Sequence, residues 1–237
     1  MPILDGMTAS KEQELERLSR ALRTLSGSNR ALLRADEEQA LLQEICRVVV
    51  EEAGYSSAVV IRAEYDERKS GTPVARFGPQ EAYDELRDLT WDDNERGRSA
   101  SSIAIRTGQP CVVNDVDNSP LSEQWRAFLR RHGFGAVLSL PLRVDGIIFG
   151  ALTILAPEPD AFDELEMAPL AEAALDLAFG LQTLSRWRCC ASRSSATARS
   201  KKPWAIRRPT ASCAQLPHGC RRWWNRATPW PMSPRAS

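Results

Sequence analysis

The stretch "GAVLSLPLRVDGIIFGALTIL", Gly135 to Leu155, decides the fold. Two apolar runs flank Asp145-Gly146, and an Asp-Gly pair between such runs is the strongest short-range signal for a β-hairpin. Alternation between apolar and polar residues is weak within each run. A strand with one solvated face alternates cleanly, so this hairpin is expected to be covered on both faces: by helices on both, or by helices on one and a ligand cavity on the other. The hairpin is therefore read as the middle of an antiparallel sheet.

Moving toward the N-terminus, "LSEQWRAFLRRHGF" predicts a helix ending at Gly133, with His132 at its C-terminus, where a cation is favoured. "PCVVNDV" predicts a strand that Pro110 can open but not interrupt. "SSIAIRTGQ" predicts a short helix ended by Gly108, with one serine as its N-cap. "YSSAVVIRAEY" and "PVARFG" predict two further strands. "EEQALLQEICRVVVEEAG" predicts a helix with Leu41, Leu42, Ile45, Val48 and Val49 on one face and Gly54 as its stop. Beyond the hairpin, "FDELEMAPLAEAALDLAFGLQTL" predicts a long helix with acidic residues in its first turn. The order gives an α+β domain with a central antiparallel sheet flanked by helices.

An N-terminal helix precedes these elements. Leu15, Leu18, Leu22, Leu25, Asn29 and Leu32 follow one another at intervals of 3, 4, 3, 4 and 3. That is a heptad seam, and an Asn within such a seam can fix register between two helices. The seam predicts a coiled-coil helix pairing with a second chain as a homodimer. The alternative is an amphipathic helix packed on its own domain.

Charge is distributed unevenly. The chain of 237 residues has a formal net charge of zero. From Trp187 onward there is no Asp or Glu but eleven Lys and Arg, which leaves 20 basic residues against 31 acidic ones in residues 1–186. An acidic body argues against a nucleic-acid partner. No run of about 18 apolar residues is present, so no membrane span is expected. Four of the six cysteines, Cys189, Cys190, Cys213 and Cys220, lie in the basic segment, which leaves Cys46 and Cys111 in the body. That is no disulfide framework, and it fits a reducing, cytoplasmic setting.

With these elements in place, "AIRTGQPCVVNDV", "WRAFLRRHGFGAVLSLPLRVDGIIFGALTIL" and "PDAFDELEMAPLAEAALDLAFGL" resemble a bacterial GAF domain. They are most similar to the kind found with PAS modules and diguanylate cyclase, EAL or histidine kinase output domains. "LSRALRTLSGSNRALLRADEEQALLQEICRVVVEEAGY" resembles the helix leading into such domains. The resemblance runs from Leu15 to Leu184. It implies a sensory or dimerising module of a signal-transduction protein with no catalysis of its own, and it names no ligand and no cofactor. It places a pocket between the sheet and the segment Trp91 to Thr107 plus the following strand. The candidate residues are Trp91, Ser99, Ser101, Ser102, Ile105, Cys111, Asn114 and Asp115. The Asn-Lys motif of cyclic-nucleotide relatives and the Cys-His pair of bilin-attaching relatives are absent. In "ERGRSASSIAIRTG", serines stand where relatives carry Gly and Pro.

Some relatives are cysteine-dependent reductases of free methionine sulfoxide, and this is the alternative function. It needs a thiolate with a resolving thiol nearby, made reactive by positive surroundings. Nothing in the sequence pairs Cys46 with Cys111. Asp92, Asp93 and Glu95 read as a solvated loop, and Asn114, Asp115, Asp117 and Asn118 read as turn residues. No metal site is expected.

The domains are therefore read as a signalling helix over 1–34, a GAF domain over 35–185 and a basic tail over 186–237. From Trp187 onward only Ile206 and Leu216 come from Ile, Leu and Val. Such a segment cannot bury enough apolar area to offset its ordering entropy, so it is expected to be disordered. Cys213, His218 and Cys220 lack zinc-ligand spacing. With arginines as CGN codons, "RWRCC" read from each third base continues as an apolar helix. The tail is thus expected to be an out-of-frame translation that replaced an output domain. Sequencing the gene should reveal an output domain in the alternative frame beyond codon 186, and an early stop in that frame would overturn the expectation.

Overall fold

The computed structural model describes residues 3–86 and 88–197. Six strands form one sheet: β1 (Ser57–Ala63), β2 (Ser70–Phe77), β3 (Leu89–Thr90), β4 (Cys111–Val113), β5 (Ala136–Val144) and β6 (Ile147–Ala156). Their order across the sheet is β3-β2-β1-β6-β5-β4, and every pair is antiparallel. The β5–β6 hairpin lies in the middle of the sheet, as expected. Asp145 (φ 49°) and Gly146 (φ 81°) both take the left-handed conformation that a two-residue hairpin turn requires.

Burial on both faces explains the weak alternation. Ala58, Val60, Leu138, Leu140, Leu142, Leu152 and Ile154 point to one side. There they meet α2 (Glu38–Arg47) and α6 (Glu164–Thr197) through Leu41, Leu42, Ile45, Leu170, Ala174 and Leu177. Val59, Ile61, Val137, Ala151 and Leu155 point to the other side. They lie under α3 (Gln80–Asp84), α4 (Ala100–Thr107) and α5 (Glu123–Arg131). One two-residue period thus feeds two separate cores.

Helix α1 (Ile3–Arg34) lies on the first side. It turns small residues inward: Thr24, Gly27, Ser28 and Ala31 are buried. A Cβ on Gly27 would fall 2.4 Å from a Val48 methyl, so no larger residue fits that crossing. The buried hydroxyls donate within the helix, Thr24 to the Arg20 carbonyl at 2.9 Å and Ser28 to the Thr24 carbonyl at 2.8 Å, so neither is left unpaired.

Arg20 at one end of this face forms an ion pair with Glu166 in the first turn of α6, at 3.4 Å. Glu166 is 4% exposed and also accepts a 2.5 Å hydrogen bond from the Tyr55 hydroxyl. The Tyr55 ring lies under the Arg20 guanidinium and is stacked on Phe162. Burial, together with the neighbouring Glu166 carboxylate, pushes the Tyr55 phenol well above its ordinary range and keeps it a donor. Toward its other end, α1 passes α6 where Leu32 abuts Gly180. The two long helices therefore run parallel, side by side.

Three sequence expectations change. The helix expected over 37–54 is α2 followed by a π-helical turn, Val48–Glu52. Three consecutive β-branched valines crowd an ordinary α-turn, and the wider turn buries both Val48 and Val49. The stretch after "PVARFG" holds α3 and β3, five and two residues long, too short for periodicity to reveal. The boundary expected at 185 is not a helix end. No Gly or Pro stands between Gly180 and Pro203, and α6 continues to Thr197, so 186–197 is helical where disorder was expected. The rest of the expected tail, 198–237, lies outside the described residues.

Close approach of β6 to β1 imposes one further constraint. A Cβ on Gly150 would sit 2.0 Å from the Ile61 carbonyl oxygen. Gly150→Ala should therefore destabilise the domain by about 3 kcal/mol, the upper range for forcing extra atoms into a packed core. Urea denaturation measures this, and an unchanged midpoint would contradict the tight β1–β6 crossing.

Candidate ligand cavity

On the second side of the sheet the helices do not close completely. A cavity of about 50 Å³ lies between the sheet and the helices. Val59, Ile61, Val137, Thr153 and Leu155 form its floor. Ala82, Tyr83 and Leu86 from α3 and its exit, with Leu89 of β3, form one wall. Ser99, Ala100 and Ser101 at the start of α4 form another, and Leu121, Trp125, Phe128 and Leu129 close the roof.

Each wall is fixed by hydrogen bonds that point away from the cavity. The Tyr83 hydroxyl donates to the Phe77 carbonyl at 2.5 Å and shares a 2.5 Å bond with Ser57 Oγ. Burial pushes this phenol up to about 12, so it stays neutral. Trp125 Nε1 donates to the Arg96 carbonyl at 3.1 Å, and the Ser122 amide to the Arg98 carbonyl at 3.2 Å, which ties α5 to the loop before α4. Arg106 braces the same loop by donating to the carbonyls of Trp91, Asp92 and Gly97.

Of the eight expected pocket residues, Ser99 and Ser101 line this cavity. Ser99 is also the N-cap of α4, accepting from the Ser102 amide at 3.1 Å. The other six lie outside the lining. Ser102 Oγ donates to the Thr90 carbonyl. Trp91 is half-buried, with its indole N–H on the Glu64 carbonyl and its ring edge-on to Tyr65. Ile105 and Cys111 are buried in the core beside the cavity. Asn114 clasps the loop before α6, donating to the Phe162 carbonyl and accepting from its amide. Asp115 accepts the amides of Asp117 and Asn118 in a turn. The lining from α3 and α5 was missed. Trp125 and Phe128, an i,i+3 aromatic pair on one helix face, were the available signal.

The cysteines do not form a pair. Cys46 belongs to the core on the first side of the sheet and Cys111 to the core on the second. Burial pushes Cys46 up to about 12 and raises Cys111 as well. Neither is the depressed thiolate that thiol chemistry requires. Asp92 accepts from Lys69 Nζ at 2.6 Å, and this holds its carboxyl below the usual range. His132 caps α5 and faces Glu85 at 3.2 Å, outside the cavity.

The leucine seam of α1 lies away from its small-residue face. Leu15 and Leu22 are 66% and 68% exposed, Asn29 is exposed, and Leu25 and Leu32 are half-buried. Leu18 lies outside the residues whose side chains are described. Helix α6 carries a matching feature not read from the sequence. Leu165, Ala168, Glu172, Leu175 and Phe179 recur at intervals of 3, 4, 3 and 4 and all are exposed. Asn29, Leu32 and Leu33 share one groove with Phe179 and Leu184. No helix among the described residues is long and apolar enough to cross a membrane.

One antiparallel sheet with helices on both faces and a small cavity under one layer defines the architecture of a recurrent α+β domain. The chain belongs to the GAF domain family, whose model matches residues 35–182. No curated protein matches the chain. Among solved structures, it is similar to the free methionine-R-sulfoxide reductase from Neisseria meningitidis in complex with its substrate. That match has 20% identity over 71% of this chain and 91% of that one, with a TM-score of 0.59. It is also similar to the GAF domain of a phosphoenolpyruvate-protein phosphotransferase from Coxiella burnetii, with 18% identity, 74% and 98% coverage and a TM-score of 0.59. A domain of a two-component sensor histidine kinase protein from Sinorhizobium meliloti matches with 17% identity, 68% and 99% coverage and a TM-score of 0.51. At these identities the likeness shows the fold.

Thiol titration tests the reading of the cysteines. A chain with Cys189, Cys190, Cys213 and Cys220 replaced by serine should leave Cys46 unreactive toward an aromatic disulfide at pH 8 until the protein unfolds. Because the folded thiol titrates higher than its ordinary 9.0, its contribution to stability is complete below about pH 9 and is lost as pH rises toward about 12. Rapid labelling of folded Cys46 would contradict this burial.

Proposed function

We propose that this chain is the sensory, regulatory GAF module of a bacterial signal-transduction protein, acting in the cytoplasm. In this reading it binds a small molecule in the cavity and pairs with a second copy through its long helices. The observation that carries the reading is the cavity lining itself. Among the described residues its side chains are apolar apart from hydroxyls and the Trp125 indole N–H, and the one titratable group, Tyr83, is held neutral with its hydroxyl engaged outside. Such a site can hold a molecule but has no base, acid or activated nucleophile to transform it. The exposed Leu15, Leu22, Leu175 and Phe179, with the groove that Phe179 shares with Leu32 and Leu33, supply a reason for the second copy, since exposed apolar area on a helix pair marks an association surface. In this reading the module serves an output domain of diguanylate cyclase or kinase type. Against the sulfoxide-reductase alternative stand the two buried, separated cysteines.

Two measurements test the reading. Mass spectrometry of the purified chain, released under denaturing conditions, should reveal a stoichiometric small molecule or a site that takes one up. Sedimentation at tens of micromolar should give a dimer, and Leu22→Ala combined with Phe179→Ala should raise its dissociation constant at least tenfold while the circular dichroism spectrum stays unchanged. A monomeric wild-type chain would remove the dimeric part of the reading.

A further inference from the structure

Hydroxyl bookkeeping in the cavity restricts what can occupy it. Ser102 Oγ donates to the Thr90 carbonyl at 2.7 Å, so in its 2.7 Å contact with Ser99 it accepts, and Ser99 donates. The proton of Ser99 is then committed, and its 3.0 Å contact with Ser101 must be donated by Ser101. Ser101 is left with unused lone pairs at the cavity wall. Across the cavity, Thr153 on the floor shares a 2.7 Å bond with the fully buried Ser139. Neither hydroxyl has another partner among the described residues. The two oxygens carry two protons and the shared bond uses one, so one proton lacks an acceptor. Thr153, which lines the cavity, can present it. The cavity thus offers one acceptor and one donor within an apolar shell.

Among the described residues, no Lys, Arg, His, Asp or Glu lines the cavity. An ion placed there would lose its hydration with no opposite charge from those residues in return. The volume, about 50 Å³, is a third of the roughly 150 Å³ cavity that takes up benzene, which limits a resident molecule to a few heavy atoms.

Resting on the reading of this cavity as a ligand site, we propose that its ligand is a small uncharged molecule with an apolar body and a single hydroxyl, of the short-chain alcohol class. Its hydroxyl donates to Ser101 Oγ and accepts from Thr153 Oγ1. Its carbon chain lies against residues such as Leu86, Leu121, Phe128 and Leu129.

The test titrates the full chain, labelled at leucine and valine methyls, with ethanol, acetate and ethylammonium, followed by NMR. Saturable shifts at Leu86, Leu121 and Leu129 are expected with ethanol, and at least tenfold weaker binding with either ion. Ser101→Ala and Thr153→Val should each weaken ethanol binding about threefold to tenfold, the range of one neutral hydrogen bond. Ser101→Ala removes the lone pairs offered to the ligand and the bond donated to Ser99, but Ser99 keeps its bonds to Ser102, so the variant stays informative where Thr153→Val perturbs the fold. Acetate or ethylammonium binding as tightly as ethanol overturns the ligand class but leaves a binding module in place. Unchanged ethanol affinity in both variants overturns the role of the hydroxyls. The absence of any saturable shift overturns the proposal, whereas a different co-purifying molecule found by mass spectrometry would preserve the sensory reading.

Discussion

The structure depends on a sheet that is buried on both sides. Because successive strand residues face opposite ways, Ala58, Val60 and Leu138 are committed to one core and Val59, Ile61 and Val137 to the other. Neither core can be repacked without moving the strands that also line the other. One core is filled by two long helices, α1 and α6, together with α2, and is dense with leucine. The other is roofed by three short helices of five to nine residues. Short helices with intervening loops close a surface less completely than long ones, and the cavity lies on their side.

What the sequence disclosed follows the range of each signal. The hairpin was legible because Asp145-Gly146 is a local instruction for positive φ at two adjacent positions. The heptad of α1 was legible because six residues in a fixed period outweigh any single ambiguity. The cavity was only partly legible. Ser99 and Ser101 were found from a local run of hydroxyls, but Tyr83, Leu121 and Phe128 come from elements whose position over the sheet is set by long-range pairing. The outward period of α6 was obscured because Glu172 interrupts it and because the inward face of the same helix is even more apolar. Nothing local indicated that the inner face of α1 would be its small residues. That assignment depends on the close approach of Val48, which itself depends on the π-helical turn.

The thiols show how environment overrides residue type. Cys46 and Cys111 are both present in a fold shared with a reductase of free methionine sulfoxide. Reactivity requires a stabilised thiolate, and burial against aliphatic side chains acts in the opposite direction. Here each cysteine serves as a small apolar residue in its own core, with the sheet between them. The fold alone does not carry the chemistry.

The buried carboxylate of Glu166 has a mechanical consequence. It sits in the first turn of α6, and its partners are Arg20 of α1 and the Tyr55 hydroxyl two residues before β1. Its carboxylate serves both at once, so removing it would leave a guanidinium and a phenol without their common partner where three segments meet. The register of α1 along α6 is held by this polar contact at one end and by the fit of Leu32 against Gly180 at the other. With both ends keyed, the exposed side chains of the two helices keep a fixed order along the pair.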